Sequence, residues 1–228
     1  MKVTPAGIKV LSADFYDRPT LDVARDLIGK LLVREHPSGR RLVGRIVETE
    51  AYTQDDPSFH GWGIVDLTTG LIKPDGRGFD LFGKPGTAYV YLIYARNWLL
   101  NVVTEREGVG GAVLFRAVEP VEGQSSMYER REAAASDIDL TNGPGKLTQA
   151  FDIDKEFHNR PMTKGCLYVA EPQECGTWPV STSCRIGITR GVELPWRYFV
   201  EGNPYVSPGI PSDIAAERRR RRRNGRAH

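Results

Sequence analysis

Two glutamates stand two residues apart at the end of a run that reads as a buried strand. They are Glu48 and Glu50 in VETEAY (47–52), directly after the apolar segment RLVGRI. Residues two apart on a strand point to the same side. Ile46, Glu48, Glu50 and Tyr52 are therefore expected on one face, and Val47, Thr49 and Ala51 on the other. Carboxylates on such a face either meet cations or look into a polar cleft, because an unpaired buried charge is very costly. A carboxylate in a cleft can take a proton from water or stabilise a developing positive charge. Arg116, the only charge inside AVLFRAV (112–118), supplies a cation. It can be half of a structural ion pair, or it can hold a catalytic glutamate ionised and oriented. His60 lies in the loop that follows the glutamates. Tyr89, Tyr91 and Tyr94 form an aromatic ladder in TAYVYLIY (87–94), with Asn101 shortly after. Alternation puts Tyr89, Tyr91 and Ile93 on one face and Val90, Leu92 and Tyr94 on the other. Such tyrosines either fill a core or, at the corner Tyr94-Ala95, project as a wedge.

Other chemistries lack their residues. Four histidines without HxxxH or CxxC spacing argue against a metal site. There is no GxSxG, no phosphate-binding Walker loop and no dinucleotide fingerprint; GVGGAV has the wrong spacing and precedes a strand. No cofactor is expected. Cys166, Cys175 and Cys184 are odd in number and fit no disulfide framework, which points to a reducing cytoplasm. No apolar signal segment or membrane-length run of about 18 residues is present, so no membrane partner is expected.

The elements that must position these residues follow from periodicity. TLDVARDLIG reads as a helix capped by Thr20, with Gly29 in the C-terminal glycine position. Leu31-Leu32-Val33 and RLVGRIVETEAY form a hairpin around Pro37-Ser38-Gly39. Thr53 to Gly86 is a long loop region of the kind that is usually functional or mobile. Strands are expected at 87–94, 99–105 and 112–120, helices at 125–136 and 142–153, and late strands in CLYVAE and TSCRIGIT, with WRYFVEGNPYVS closing the fold. The sum is one mixed α/β (α+β-like) domain over residues 1–207, built on a mainly antiparallel sheet flanked by helices.

Charge divides the chain. Seven of its 31 basic residues are Arg218–Arg223 and Arg226; without them 24 stand against 29 acidic residues, leaving residues 1–217 at a net −5. A run of six arginines cannot bury itself, so residues 208–228 are expected to be a disordered basic tail. That tail is either simply solvated or a polyanion-binding arm.

The segments RDLIGKLL, GRIVETEAY, KPGTAYVYLIY, AVLFRAVEP and NGPGKLTQAF, in that order, closely resemble the 3-methyladenine (alkyladenine) DNA glycosylases of the mammalian and bacterial Mpg type. The resemblance implies a single domain with a curved antiparallel sheet. It also implies a monofunctional enzyme that flips alkylated or deaminated purines from duplex DNA and leaves an abasic site. By position, Glu50 matches the general base and Arg116 the arginine supporting its water. Tyr52, His60 and Tyr91 match residues holding the flipped base, Asn101 a screen against the guanine amino group, and Tyr94 the wedge. Arg96, Lys146, Arg218, Arg219 and Arg220 are candidate phosphate contacts. The expected partner is double-stranded DNA with damaged purines, bound by a monomer in the cytoplasm and on the bacterial nucleoid, or in the nucleus of a eukaryote. Glu48 matches no catalytic position and is expected to be paired and structural.

This chain departs from the family pattern at Arg77–Phe82, at Gly61 where a serine commonly follows the histidine, and at Ala95-Arg96 where glycine commonly follows the tyrosine. Two other readings stay open: a non-catalytic module that binds damaged nucleic acid, and a carbohydrate hydrolase using Glu48 and Glu50 as its acid pair.

Overall fold

The strand that carries the two glutamates runs over 13 residues and pairs with three neighbours. In the computed structural model the described residues are 9–66, 69–73, 78–173 and 176–224; residues 1–8, Arg77, Cys175 and Arg226 lie outside them. Helices α1 (Ala13–Tyr16) and α2 (Thr20–Asp26) precede the hairpin of β1 (Leu31–Glu35) and β2 (Arg41–Thr53). Strands β3 (Ala88–Ile93), β4 (Asn97–Val103) and β5 (Gly111–Glu122) follow, then helices α3 (Gln124–Arg130), α4 (Asp137–Thr141) and α5 (Pro144–Ala150). The chain continues through β6 (Leu167–Ala170), β7 (Val180–Ser183) and β8 (Arg197–Val200) into helix α6 (Ser212–Asn224).

The result is a mixed α/β domain on a curled, antiparallel sheet in the order β3-β4-β5-β2-β1-β6, with β8 joined to β2 and β7 to β8. The first half of β2 pairs with β1 and its second half with β8, so the glutamates lie where the sheet branches. Helices α2 and α5 supply Val23, Ala24, Leu147 and Ala150, and the residues capping their C-termini supply Leu27 and Phe151, to the main apolar cluster, which also takes Val47, Ala51 and Phe115 from the sheet. A second cluster holds Phe59, Leu81, Phe82, Tyr89, Val103 and Ala112, and it backs the cavity described below.

The pairing of β2 with β5 is irregular between Val43 and Gly44 and again around the glutamates. The pairing with β5 shifts register between Ile46 and Glu48 and again between Glu48 and Thr49, passing over Val47 on one strand and Arg116 on the other. Ile46 was expected beside the glutamates, yet it joins Val47 in the main core. A bulge places successive residues on one side and turns the strand. Here it frees Arg116 from the ladder, so the guanidinium reaches both glutamates.

Several local expectations give way to tertiary contacts. Thr20 is the first helical residue rather than the cap, because its hydroxyl bonds Glu105 Oε1 at 2.7 Å and Thr104 Oγ1 at 2.9 Å. The helix expected over 125–136 stops at Arg130. Arg131 instead bonds Gln149 Oε1 at 2.7 Å and the Asp139 carbonyl at 3.2 Å. TSCRIGIT is strand only through Ser183, since Arg185 turns inward and the Ile186 N–H is drawn to Glu50. Ser212–Asn224, expected to be disordered, form α6. Arginine is a good helix former. The helix start is also tied down: Ser212 N donates to the Arg185 carbonyl at 2.8 Å, and Ile188 N donates to Ser212 Oγ at 3.1 Å.

Close packing leaves no room at Gly44 in β2. A Cβ there would lie 2.5 Å from Val118 Cγ2 and 3.0 Å from Phe151 Cζ. Gly44→Ala is expected to destabilise the fold by about 1–3 kcal/mol through overpacking. Urea denaturation checks this as a lower midpoint with an unchanged slope.

Candidate active site

One row of residues crosses five strands on the same face. Tyr89 pairs with Asn101, Asn101 with Leu114, Leu114 with Glu50 and Glu50 with Arg197. Tyr52 lies one pleat away on that face, opposite Ala112. A cavity of about 420 Å³ opens over this row, within the usual size of small-molecule sites. Its walls include Tyr52, His60, Tyr91, Tyr94, Asn101 and Arg116, so the sheet brings together all of these residues that the sequence singled out.

Glu50 is fully buried, and its partners Tyr52, Arg116 and Ile186 line the cavity. Its Oε2 accepts the Tyr52 hydroxyl at 2.8 Å, and its Oε1 accepts the Ile186 backbone N–H at 2.7 Å. Arg116 Nη1 lies 3.3 Å from the same Oε1. A carboxylate has about four acceptor directions. Three are taken here, and the open one is on Oε2. Burial raises the pKa of the Tyr52 phenol, and the neighbouring Glu50 carboxylate raises it further, so Tyr52 stays a neutral donor.

Glu48 is engaged differently. Its Oε1 accepts Arg116 Nε at 2.7 Å, Arg197 Nε at 2.6 Å and Ser207 Oγ at 2.9 Å, and its Oε2 accepts Ser207 N at 2.7 Å. Burial works against its charge, yet Arg116 and Arg197 outweigh burial and hold its carboxyl below the ordinary value. So committed, Glu48 is the paired, structural residue the sequence led one to expect, and it is unsuited to act as the second acid of a sugar hydrolase.

Arg116 spans the two: Nε on Glu48, Nη1 beside Glu50 and Nη2 on Ser207 Oγ at 3.2 Å. Burial alone would lower its pKa, but the two glutamates raise it, so the cation is permanent. A third arginine was not foreseen. Arg185 is fully buried, binds Asp56 through both terminal nitrogens and donates to the Ala51 carbonyl at 3.0 Å. Its guanidinium carbon stands 4.6 Å from the Tyr52 ring centroid and 5.2 Å from that of Trp196, so Tyr52 is braced from behind by a cation. Asp56, Arg185, Arg197 and Ser207 are the residues that sequence reasoning missed. Arg197 in PWRYFV and Arg185 in TSCRIGIT carried a usable signal, since each is a lone charge in a short apolar run, as Arg116 is.

The aromatic side of the cavity is compact. The rings of His60 and Tyr91 are 4.3 Å apart, those of Tyr89 and Tyr91 are 5.6 Å apart, and His60 Nδ1 lies 3.3 Å from the Tyr89 hydroxyl. Asn101 is buried and donates to the Tyr89 carbonyl at 3.2 Å. Gly61 fits its surroundings: a Cβ there would come within 2.7 Å of both Phe59 and Phe82. Tyr94 is 87% exposed at the rim. Tyr94 and Ala95 have φ of 51° and 50°, and Arg96 N closes the turn on the Ile93 carbonyl at 3.1 Å. This primed turn suits a hairpin, but each non-glycine residue in it costs about 1–2 kcal/mol.

The remaining candidates do not line the cavity. Arg96 is exposed and lines a neighbouring cleft with Trp98 and Arg130. The Lys146 ammonium is engaged by Asp139 and by Asn142 Oδ1 at 2.8 Å. Arg218, Arg219 and Arg220 are exposed on α6.

A family model described as methylpurine-DNA glycosylase matches residues 14–204. A protein of Salinibacter ruber is 56% identical over 203 residues, covering 89% of this chain and 98% of its own length. One from Chlorobaculum parvum is 41% identical, covering 94% of this chain and 100% of its own length. A third, from Methanocella arvoryzae, is 42% identical, covering 90% and 99% respectively. All three bear the provisional name 3-methyladenine DNA glycosylase.

The buried charges make two expectations. Arg185→Met strands the Asp56 carboxylate and should cost about 3–5 kcal/mol, while adding Asp56→Asn should restore part of that loss. A double-mutant cycle by chemical denaturation measures the coupling. For Glu48, folding lowers the carboxyl pKa, so its stabilisation is complete above the unfolded value near 4.5 and is lost as pH falls through the folded value. The melting-temperature gap between the wild type and Glu48→Gln should therefore be widest near neutral pH and shrink below about 4.5.

Proposed function

Because this chain belongs to the methylpurine-DNA glycosylase family, and so is a DNA glycosylase of DNA repair, we propose that it extracts a damaged purine from duplex DNA and hydrolyses its N-glycosidic bond without a lyase step. The observation that carries this reading is Glu50. It is a carboxylate held by Tyr52, the Ile186 N–H and Arg116, all three of which line the aromatic cavity, and among the described residues its Oε2 takes a hydrogen bond from Tyr52 alone.

Each step has a residue to perform it. A base inside the stack cannot reach such a cavity, and flipping it costs a few kcal/mol. Tyr94, exposed on its rigid turn, fills the gap in the duplex and offsets the lost stacking. The purine lies among Tyr52, His60 and Tyr91, whose π faces favour an alkylated, cationic base such as 3-methyladenine. Hypoxanthine, a deaminated base, is the second substrate class. Asn101, held against the Tyr89 carbonyl, excludes bases bearing a guanine-type amino group. As the bond to the base stretches, positive charge grows on the deoxyribose, and the Glu50 carboxylate stabilises it. A water on the free Oε2 direction attacks the anomeric carbon and gives its proton to Glu50, while the bonding electrons leave with the base. Among the described residues no lysine lines the wall, which supports base removal without a Schiff base and without strand cleavage.

Removing the general base while keeping its shape tests this. Glu50→Gln should lower single-turnover release of 3-methyladenine and hypoxanthine by about 10²–10⁴-fold with duplex binding retained. The wild-type product strand should be abasic and uncut, with no borohydride-trapped adduct. Release at the wild-type rate by Glu50→Gln would remove Glu50 from this role.

A further inference from the structure

The family model stops at residue 204, before α6 begins at Ser212. The segment entering α6 is nevertheless built into the wall of the site. Pro211 bridges Ile186, whose N–H holds Glu50, and Gly209 packs so closely on Ile186 that a Cβ there would lie 2.8 Å from its Cγ2. Ser212 then bonds the Arg185 carbonyl and the Ile188 N–H, and Ile186, Gly187 and Ile188 all line the cavity. The 13 residues of α6 extend for about 20 Å from that anchor. The whole helix backbone therefore stays within about 20 Å of the cavity wall.

We propose that α6 is a DNA-binding arm, holding the phosphate backbone of the duplex beside the nucleotide that enters the cavity. Arg218, Arg219 and Arg220 are exposed and form no ion pair with another described residue; Arg221 is paired with Glu217. Residues 1–217 carry a net −5, so a polyanion meets repulsion from the body unless a local cationic surface offsets it. Near the rim, Arg96 is exposed, but the Lys146 ammonium is already engaged by Asp139. Duplex DNA carries one negative charge about every 1.7 Å of its axis, so a helix of this length spans many phosphates. The arm touches phosphate and carries no base specificity. It adds affinity and retention on DNA, and leaves the chemistry at Glu50 unchanged. This proposal rests on the reading of duplex DNA as the substrate.

The test neutralises the arm and keeps its helix, since glutamine and arginine have similar helix propensity. Full-length wild type and the Arg218→Gln/Arg219→Gln/Arg220→Gln variant are compared in binding to undamaged duplex across salt concentrations, and in single-turnover base release at saturating DNA. The expected result is about tenfold weaker binding at low salt, with the slope of log affinity against log salt shallower by about 0.9 for each phosphate no longer neutralised. The release rate at saturation should not change. An unchanged slope and affinity would overturn the proposal, as would a loss of release at saturation with the slope intact, which would make α6 a structural strap only. Failure of the wild type to release any base would sink the glycosylase reading, while the slope comparison would still decide whether the arm binds DNA.

Discussion

Around the cavity, Glu48, Glu50 and Asp56 are shut in with Arg116, Arg185 and Arg197, and the position of nearly every part of the site follows from how these charges balance. Glu48, Glu50 and Asp56 have no exposed surface; Arg116 and Arg197 are each 5% exposed and Arg185 is not exposed at all. Desolvating each ion costs several kcal/mol, recovered only where geometry and hydrogen bonds are good. Glu48 achieves this with four donors, Asp56 with a two-point grip from Arg185, and Glu50 with three partners. Such a cluster tolerates few alternative arrangements, because moving one member strands the charge of another.

Backbone irregularity serves that balance. The double register shift between β2 and β5 releases Arg116 from the regular ladder and lets it bridge Glu48 and Glu50. The break in the strand after Ser183 turns Arg185 toward Asp56 and presents the Ile186 N–H to Glu50. Regular pairing at either place would align the sheet better and leave a buried carboxylate short of donors. Glu48 and Glu50 thus differ in their partners: one is bound by two arginines and Ser207, and the other by Tyr52, the Ile186 N–H and Arg116.

The same anchoring connects the site to its surroundings. Tyr52 is held at both ends, its hydroxyl on Glu50 and its ring against Arg185, so the aromatic wall and the carboxylate are set by one network. The Ile186–Ile188 segment lines the cavity on one side and receives the start of α6 on the other. The rim is organised differently: Tyr94 stands on a turn with two left-handed non-glycine residues, a strain offset by the β3–β4 pairing that closes it.

Local signals in the chain were enough to place the strands around the glutamates, the antiparallel hairpins, the aromatic face of TAYVYLIY and the pairing of Arg116 with VETEAY. Those rest on period-two alternation and on the cost of an isolated buried charge. Ordered motifs from RDLIGKLL to NGPGKLTQAF also marked the family. The sequence led one to expect Glu48 to be the structural glutamate, but the partners that commit it emerge from the folded chain alone, because Arg197 and Ser207 lie about 150 residues further along. The fold likewise sets Ile46 apart from the glutamates' face, puts Arg185 behind Tyr52, and makes the arginine run a helix fastened to the site. Donors to a buried carboxylate are recruited wherever the fold brings them, and a spacing pattern within one strand holds no record of them.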